Sequence, residues 1–182
     1  IESTEHALEL GYRHVDTAQA YGNEEDVGKA VRYSGVHRDQ IFITTKISTP
    51  NLHPGGISGS MVNSLVRLKS EYIDLLLIHR PIDSMDLEAC LEAMLELREK
   101  GQIRHIGVSN FTPDLFRKAL ELAPVLTNQV KFSPFHQEMD NLKLAESTEK
   151  IITAYSPLEH GDLQKNEVLN TIGEKYGKSA AD

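Results

Sequence analysis

The 182-residue chain carries 27 acidic and 19 basic residues, which gives a formal net charge of −8. Its basic residues are scattered, whereas phosphate binding needs clustered lysine and arginine, so we expect no nucleic-acid or anionic-membrane partner. One cysteine, Cys90, excludes an internal disulfide and fits a reducing compartment, so we expect a cytoplasmic protein. No apolar run approaches the roughly 18 residues that span a bilayer.

Apolar runs typical of strands alternate with helical patterns along the whole chain, which has the size of one domain, residues 1–182. The run Ile73–Ile78 is apolar at nearly every position, as in strands of a parallel sheet that are buried on both faces. The predicted strands are Arg13–Ala18, Ile41–Ile47, Tyr72–His79, His105–Asn110, Thr127–Phe132 and Ile151–Tyr155.

Capping residues, apolar faces and terminal glycines predict the helices between these strands. Two loops are long enough for decoration, Ser48–Gly59 and Pro157–Lys165, and we interpret the glycines of the first as turn residues. The predicted helices are Thr4–Leu10, Asn23–Ser34, Ser60–Lys69, Asp86–Lys100, Pro113–Leu122, Asn141–Lys150 and Asn166–Tyr176.

The spacing of the strands predicts a parallel α/β fold. Successive strands begin 22 to 33 residues apart, which fits a (β/α)8 TIM barrel. A doubly wound sheet has a similar period, so the spacing alone leaves both architectures open. The sequence holds six βα units and opens with a helix that no strand precedes. Because an open six-stranded piece of a barrel would leave two sheet edges exposed, we expect that the chain lacks both ends of a longer protein.

Four titratable residues fall at or just beyond the ends of the first three predicted strands: Asp16, Tyr21, Lys46 and His79. In a barrel those ends form one rim, so we expect the Tyr21 hydroxyl to lie near the Lys46 ammonium and a His79 ring nitrogen. A tyrosine is a weak acid, and a nearby ammonium stabilises its phenolate. With Asp16 holding Lys46, the set suits protonation of an oxyanion as hydride reaches a carbonyl carbon.

Each of these residues also has a structural interpretation. Alone, Asp16 could be a loop or cap residue, Lys46 an exposed cation, His79 a satisfied interior histidine and Tyr21 a packed ring. Their shared position at strand ends favours the functional interpretation. We find no metal-ligand pattern and no Gly-x-Gly-x-x-Gly motif in the sequence.

Six motifs in order make the chain similar to the aldo-keto reductases, and the resemblance covers essentially its whole length. It implies a (β/α)8 barrel whose strands here are the second to the seventh. The short Pro81–Asp86 connection and the lack of large loops are similar to the compact microbial branch that includes diketogluconate reductases. The motifs are His14-Val-Asp-Thr-Ala18 with Tyr21, Thr44-Thr-Lys46, Leu77-Ile-His-Arg-Pro81, Ile106-Gly-Val-Ser-Asn-Phe111, Asn128-Gln-Val130 and Ala154-Tyr-Ser-Pro-Leu158.

The resemblance implies that Tyr21 is the general acid and that Asp16, Lys46 and His79 support it. It implies that Ser109, Asn110 and Gln129 bind the nicotinamide carboxamide, which suits amide side chains because they both donate and accept hydrogen bonds. Tyr155 would stack on the nicotinamide ring, and Ser156 and Leu158 would lie along the pyrophosphate. The implied cofactor is NADP (NADPH), with NAD as an alternative.

Three departures from the family pattern bear on function. Arg80 replaces the tryptophan that commonly follows the histidine, and the chain has no tryptophan. Glu159 places a negative charge where a small residue is common, near the expected pyrophosphate. The Ile-Pro-Lys-Ser segment that carries the contact to the adenosine 2′-phosphate does not occur in the sequence. A preference for NADP is therefore implied by the family only.

The sequence thus predicts an NADP-dependent monomeric reductase of aldehydes, ketones or keto-sugars, with a small-molecule carbonyl substrate. A nucleotide-binding barrel with little turnover is the alternative, because fold alone does not fix function. An inactive fragment of a longer reductase is the second alternative.

Overall fold

The computed structural model describes residues 1–182, in which seven α-helices alternate with six β-strands. Four short 3₁₀ turns join them, at Gln19–Tyr21, Arg38–Gln40, Thr49–Asn51 and Glu159–Lys165. The helices are α1 Glu2–Glu9, α2 Glu24–Tyr33, α3 Pro54–Leu68, α4 Leu87–Glu99, α5 Pro113–Leu122, α6 Met139–Ser147 and α7 Glu167–Glu174. The strands are β1 His14–Asp16, β2 Phe42–Ile47, β3 Ile73–Ile78, β4 Ile103–Ser109, β5 Val125–Lys131 and β6 Ile151–Tyr155.

The six strands form one parallel sheet in which each strand pairs with the next in sequence, β1 to β6. In a doubly wound sheet the strand order changes direction partway across the sheet, so the doubly wound alternative is wrong. The sheet is strongly curved, since Gln129 on β5 donates a hydrogen bond of 2.7 Å to Asp16 on β1. Four strand spacings in a flat sheet would separate those strands by about 19 Å. The architecture is therefore a curled half-barrel of α/β class, as the sequence predicts.

The hydrophobic core lies between the outer face of the sheet and the surrounding helices. Strand residues such as Ile43, Leu76 and Ile106 pack in one cluster with Met61 of α3 and Met94 of α4, all at most 1% exposed. The predicted burial of the strands on both faces holds for β3, whose six residues are all buried. The edge strands β1 and β6 are largely exposed or half-buried.

The concave face of the sheet carries a row of polar side chains, interrupted on β3 by Leu75 and Leu77, which pair in register with Thr44 and Lys46. The strand register aligns Asp16 with Thr44, and Ser109 with Gln129 and Thr153. Pairing within this face includes the 2.8 Å hydrogen bond between the hydroxyls of Thr127 and Thr153. Because side chains alternate between the faces of a strand, the residues two apart form this lining.

The α3 helix begins six residues before the predicted start. Pro54 occupies the first turn, and the His53 ring accepts a hydrogen bond of 3.1 Å from the Gly56 amide. This cap fixes the helix start although Gly55, Gly56 and Gly59 follow it, so their interpretation as turn residues was wrong. Of the predicted loop Ser48–Gly59, only the part before Pro54 lies outside α3.

Gly28 allows α2 to approach α3 closely. A Cβ atom on Gly28 would lie 2.6 Å from the backbone carbonyl oxygen of Arg67 and from the Leu68 carbonyl carbon. Such distances are too short for any larger residue without movement of the helix backbone. Gly28 therefore serves helix packing.

The other elements begin and end within a few residues of their predicted bounds, and α5 matches its prediction. Differences at strand starts are two residues for β4 and β5, while β1 is only three residues long. No helix of the structure is long and apolar enough to cross a membrane.

Candidate active site

The parallel sheet brings the predicted site residues to one rim. Asp16, Lys46 and Ser109 lie in the last two positions of β1, β2 and β4, and His79 directly follows β3. Gln129 lies near the end of β5 and Tyr155 is the last residue of β6. The C-terminal ends of the strands therefore gather the candidate residues in one cleft, as expected of barrels.

Lys46 is the buried centre of the cluster, with 1% of its side chain exposed. Its ammonium forms an ion pair with the Asp16 carboxylate and donates to the Thr17 carbonyl oxygen at 2.9 Å. The third neighbour is the Tyr21 hydroxyl, 3.5 Å from Nζ. A buried lysine needs such partners, because burying an unpaired charge is costly. The prediction that Lys46 contacts both Asp16 and Tyr21 is met by this geometry.

Tyr21 is held above Lys46 by the 3₁₀ turn that follows β1. Gly22 ends this turn at φ 67°, a conformation that favours glycine. The Gln19 side chain accepts a hydrogen bond from the Ser48 amide at 3.0 Å and donates one to the Ser64 hydroxyl at 3.1 Å. The turn is thus fastened to the β2–α3 connection and to α3, while the Tyr21 side chain is 53% exposed.

Asn23 fastens the other end of this loop. It occupies the N-cap position of α2, at the start of the predicted helix, but its side chain makes no capping hydrogen bond. Its side-chain carbonyl oxygen instead accepts from the Thr17 hydroxyl at 2.6 Å. The Asn23 side chain therefore bonds across the loop that carries Tyr21.

His79 packs against Tyr21 edge to face, with ring centroids 5.6 Å apart and an interplanar angle of 85°. No hydrogen bond joins the two side chains, so the expected contact between a His79 ring nitrogen and the Tyr21 hydroxyl is not formed, and the two rings pack instead. Partial burial lowers the pKa of His79 below its ordinary value, and the charges of Lys46 and Arg80 lower it further. The lowered pKa favours the neutral ring, which can donate one N–H hydrogen bond.

Hydrogen bonds join Ser109, Asn110 and Gln129 to one another and to the lysine cluster, which consists of Lys46, Asp16 and Tyr21. Ser109 Oγ donates to the Gln129 backbone carbonyl at 2.8 Å, and Asn110 Nδ2 donates to the His79 carbonyl at 2.9 Å. Asn110 has φ 60°, a left-handed conformation that asparagine tolerates. Through its 2.7 Å bond to Asp16, Gln129 connects the amide side chains to the lysine cluster.

Of the three residues expected at the cofactor ring and pyrophosphate, two line the cleft. Tyr155 donates from its hydroxyl to Asn110 Oδ1 at 2.8 Å, and Ser156 follows at the end of β6. Leu158 is exposed and lies outside the cleft lining. The cleft has a volume of about 550 Å³, and the four residues Asp16, Tyr21, His79 and Arg80 form part of its wall.

The negative charge of Glu159 is compensated locally. Lys131 forms an ion pair with it at 2.7 Å, and the Ser133 hydroxyl donates a second hydrogen bond. The Lys131 hydrogen bond is the largest reason that the pKa of Glu159 lies below its ordinary range. The charge that the sequence places near the expected pyrophosphate is thus paired.

Sequence reasoning missed two features of this site. Gln19 fastens the turn that carries Tyr21, but a single glutamine in a loop gives no sequence signal of such a role. The bond between Gln129 and Asp16 joins residues 113 positions apart, and only the curvature of the sheet brings them together. No group of three or more histidine, cysteine or carboxylate side chains is arranged to hold a metal ion.

Comparison with known proteins identifies the family. The model of the aldo/keto reductase family matches residues 1–179. Methylglyoxal reductase DkgB of Salmonella typhimurium is 41% identical over 186 aligned residues, which cover all of this chain and 70% of that protein.

Solved structures agree with this assignment. One provisionally identified as a 2,5-diketo-D-gluconic acid reductase B superposes with a TM-score of 0.95 at 38% identity over 97% of this chain and 64% of its own. An aldo/keto reductase from Brucella melitensis gives 0.93 at 36% identity over 99% and 70%. The chain thus spans about two thirds of the length of these relatives. By sequence, fold and the order of its motifs, the chain belongs to the aldo-keto reductase family of oxidoreductases.

Proposed function

We propose that the protein reduces aldehydes, ketones or keto-sugars with NADPH and that Tyr21 donates the proton to the substrate oxygen. The observation that carries this proposal is the Tyr21 hydroxyl 3.5 Å from the ammonium of a buried, fully partnered lysine. A surface tyrosine packed for structural reasons would not need a buried cation beside its hydroxyl. This arrangement favours a catalytic barrel over one that only binds nucleotide.

The cleft residues have the chemistry that a nicotinamide cofactor requires. A carboxamide both donates and accepts hydrogen bonds, and the Asn110 and Gln129 side chains do the same. In this structure Asn110 bonds to Tyr155 and Gln129 bonds to Asp16, so a bound carboxamide would take the place of these partners. Tyr155, released from Asn110, would offer its ring face, and Ser156 would hold the pyrophosphate. Because the Leu158 side chain lies outside this cleft, we propose that Leu158 contacts the pyrophosphate through its backbone.

When bound, the nicotinamide supplies a hydride to the carbonyl carbon. Tyr21 transfers its proton to the oxygen atom as negative charge develops there, and Lys46 stabilises the phenolate that is left. The neutral His79 ring donates a hydrogen bond to the same oxygen and orients the carbonyl. Asp16 keeps Lys46 directed toward Tyr21 through their ion pair.

The names of the relatives support small, polar carbonyl substrates. One is named a methylglyoxal reductase, and another is provisionally identified as a reductase of a diketo sugar acid. The cleft agrees with this class, since ten of its thirteen lining residues are not hydrophobic. We extend the proposal to NADPH over NADH on the family resemblance. The monomeric state and the cytoplasmic location stay predictions.

Cofactor binding tests the assignment of the amides. NADPH should bind and be oxidised when methylglyoxal is added, with weaker activity for NADH. Asn110→Ala and Gln129→Ala should each weaken NADPH binding by about 1–2 kcal/mol, because each removes one of several hydrogen bonds to the ligand. Fluorescence titration measures the dissociation constants, and Asn170→Ala on α7 is the matched control. Unchanged affinity in both cleft variants would place the carboxamide elsewhere.

A further inference from the structure

Arg80 is a cation of the cleft without a partner in the protein. It follows His79 at the end of β3, is exposed, and lines the same wall as Tyr21 and His79. The other cations near the cleft are paired, Lys46 with Asp16 and Lys131 with Glu159. Arg80 makes no hydrogen bond and no ion pair with any residue of the chain. Its positive charge is therefore free to attract a ligand.

The acidic residues nearest to Arg80 in sequence do not neutralise it. Asp83 and Asp86 line a separate cleft beside α4, and neither carboxylate forms an ion pair with the guanidinium. Asp86 instead accepts a hydrogen bond from the Ala89 amide at the start of α4. The charge of Arg80 is felt inside the site, because it is among the causes that depress the pKa of His79. In a protein of net charge −8, this wall of the cleft thus carries one unpaired positive charge, that of Arg80.

We propose that Arg80 determines specificity by receiving the carboxylate of an anionic carbonyl substrate, so that the enzyme prefers oxo acids and aldehyde acids to neutral carbonyl compounds. The inference rests on the proposed function, because it places the carbonyl oxygen between Tyr21 and His79. Since Arg80 is the next residue after His79, a carboxylate a few bonds from that carbonyl comes within reach of its guanidinium. The planar guanidinium matches a carboxylate with two parallel hydrogen bonds, which gives direction as well as charge.

A phosphate of the cofactor is the other anion that Arg80 could bind. The residues proposed for the pyrophosphate follow β6, whereas Arg80 follows β3, three strands away in the sheet. The substrate carboxylate is therefore the better match for its position, and the experiment separates the two sources.

The test compares 4-carboxybenzaldehyde with its neutral methyl ester in the unaltered protein and in Arg80→Gln. We expect kcat/KM for the carboxylate to fall about 10- to 100-fold, the value of charged hydrogen bonds, and to change less than about threefold for the ester. Arg80→Lys should recover part of the loss, because it keeps the charge without the planar pair of donors. The control is Arg32→Gln, which removes an exposed, unpartnered arginine at the end of α2, outside this cleft.

A binding measurement keeps the test independent of turnover. The affinity for the alcohol product 4-(hydroxymethyl)benzoate, measured by calorimetry with NADPH present, should fall by a similar factor in Arg80→Gln, while NADPH affinity stays the same. Equal losses for acid and ester, no loss for either, or weaker NADPH binding would each overturn the inference. If the unaltered protein reduces neither aldehyde, the proposed function fails, and the binding of the acid still decides whether Arg80 holds a carboxylate.

Discussion

Lys46→Met should impair catalysis by removing the charge next to the Tyr21 hydroxyl. At 3.5 Å, and with an effective dielectric constant of about 20, one unit charge stabilises the phenolate by about 5 kcal/mol. Asp16 opposes part of this attraction, because its carboxylate repels the same phenolate. We expect a net effect of about 3 kcal/mol, which corresponds to a loss of about 10²-fold in kcat.

The assay is NADPH oxidation at saturating methylglyoxal, measured by absorbance at 25 °C. Lys46→Arg should retain more activity, since it keeps the charge in altered geometry. Lys29→Met on α2 removes a half-buried lysine that pairs with Glu25 at 2.8 Å and should change kcat less than about twofold, as surface ion pairs contribute little. Circular dichroism must show that Lys46→Met is folded at the assay temperature. A folded Lys46→Met variant with unchanged kcat would refute the role of the charge.

The remaining predictions concern packing and pH. Gly28→Ala should lower the free energy of unfolding by about 1–3 kcal/mol in urea denaturation, because its Cβ would meet the α3 backbone. The control is Gly59→Ala on α3, where an added Cβ meets nothing within 4 Å, so no loss of stability is expected. The pKa of His79 is lower in the folded than in the unfolded chain, so the unfolded chain binds its proton first as pH falls. The contribution of neutral His79 to the free energy of unfolding is complete above about pH 6.5 and decreases below it. The His79→Gln variant should therefore lose less stability than the unaltered protein between about pH 7.5 and 5.5. An equal loss in both proteins would show that His79 does not contribute.

The sequence predicted the fold well, because each element has strong local signals. The apolar run of β3 and the Thr112-Pro113 start of α5 set those elements within one residue. The predicted start of α3 was wrong, because the three glycines indicated a turn at the residues where Pro54 and the His53 cap begin the helix. Such a cap depends on the orientation of the His53 side chain, which sequence alone does not give.

The candidate site was predictable in its members but not in its bonds. The strand ends indicated Asp16, Lys46 and His79, because parallel strands place their C-terminal ends on one rim. Curvature decides which side chains meet across that rim, and it joins Gln129 to Asp16. The unpaired state of Arg80 likewise depends on the whole surroundings of its side chain.

The central claim is that Tyr21 is the proton donor, and Tyr21→Phe tests it most directly. The ring and its packing against His79 are kept, and only the hydroxyl 3.5 Å from Lys46 is lost. We predict a loss of 10²–10⁴-fold in both kcat and kcat/KM for carbonyl reduction, with NADPH affinity nearly unchanged, because general acid catalysis acts in the transition state. A folded Tyr21→Phe variant that keeps more than about a tenth of the original kcat would contradict the account and leave His79 as the candidate acid.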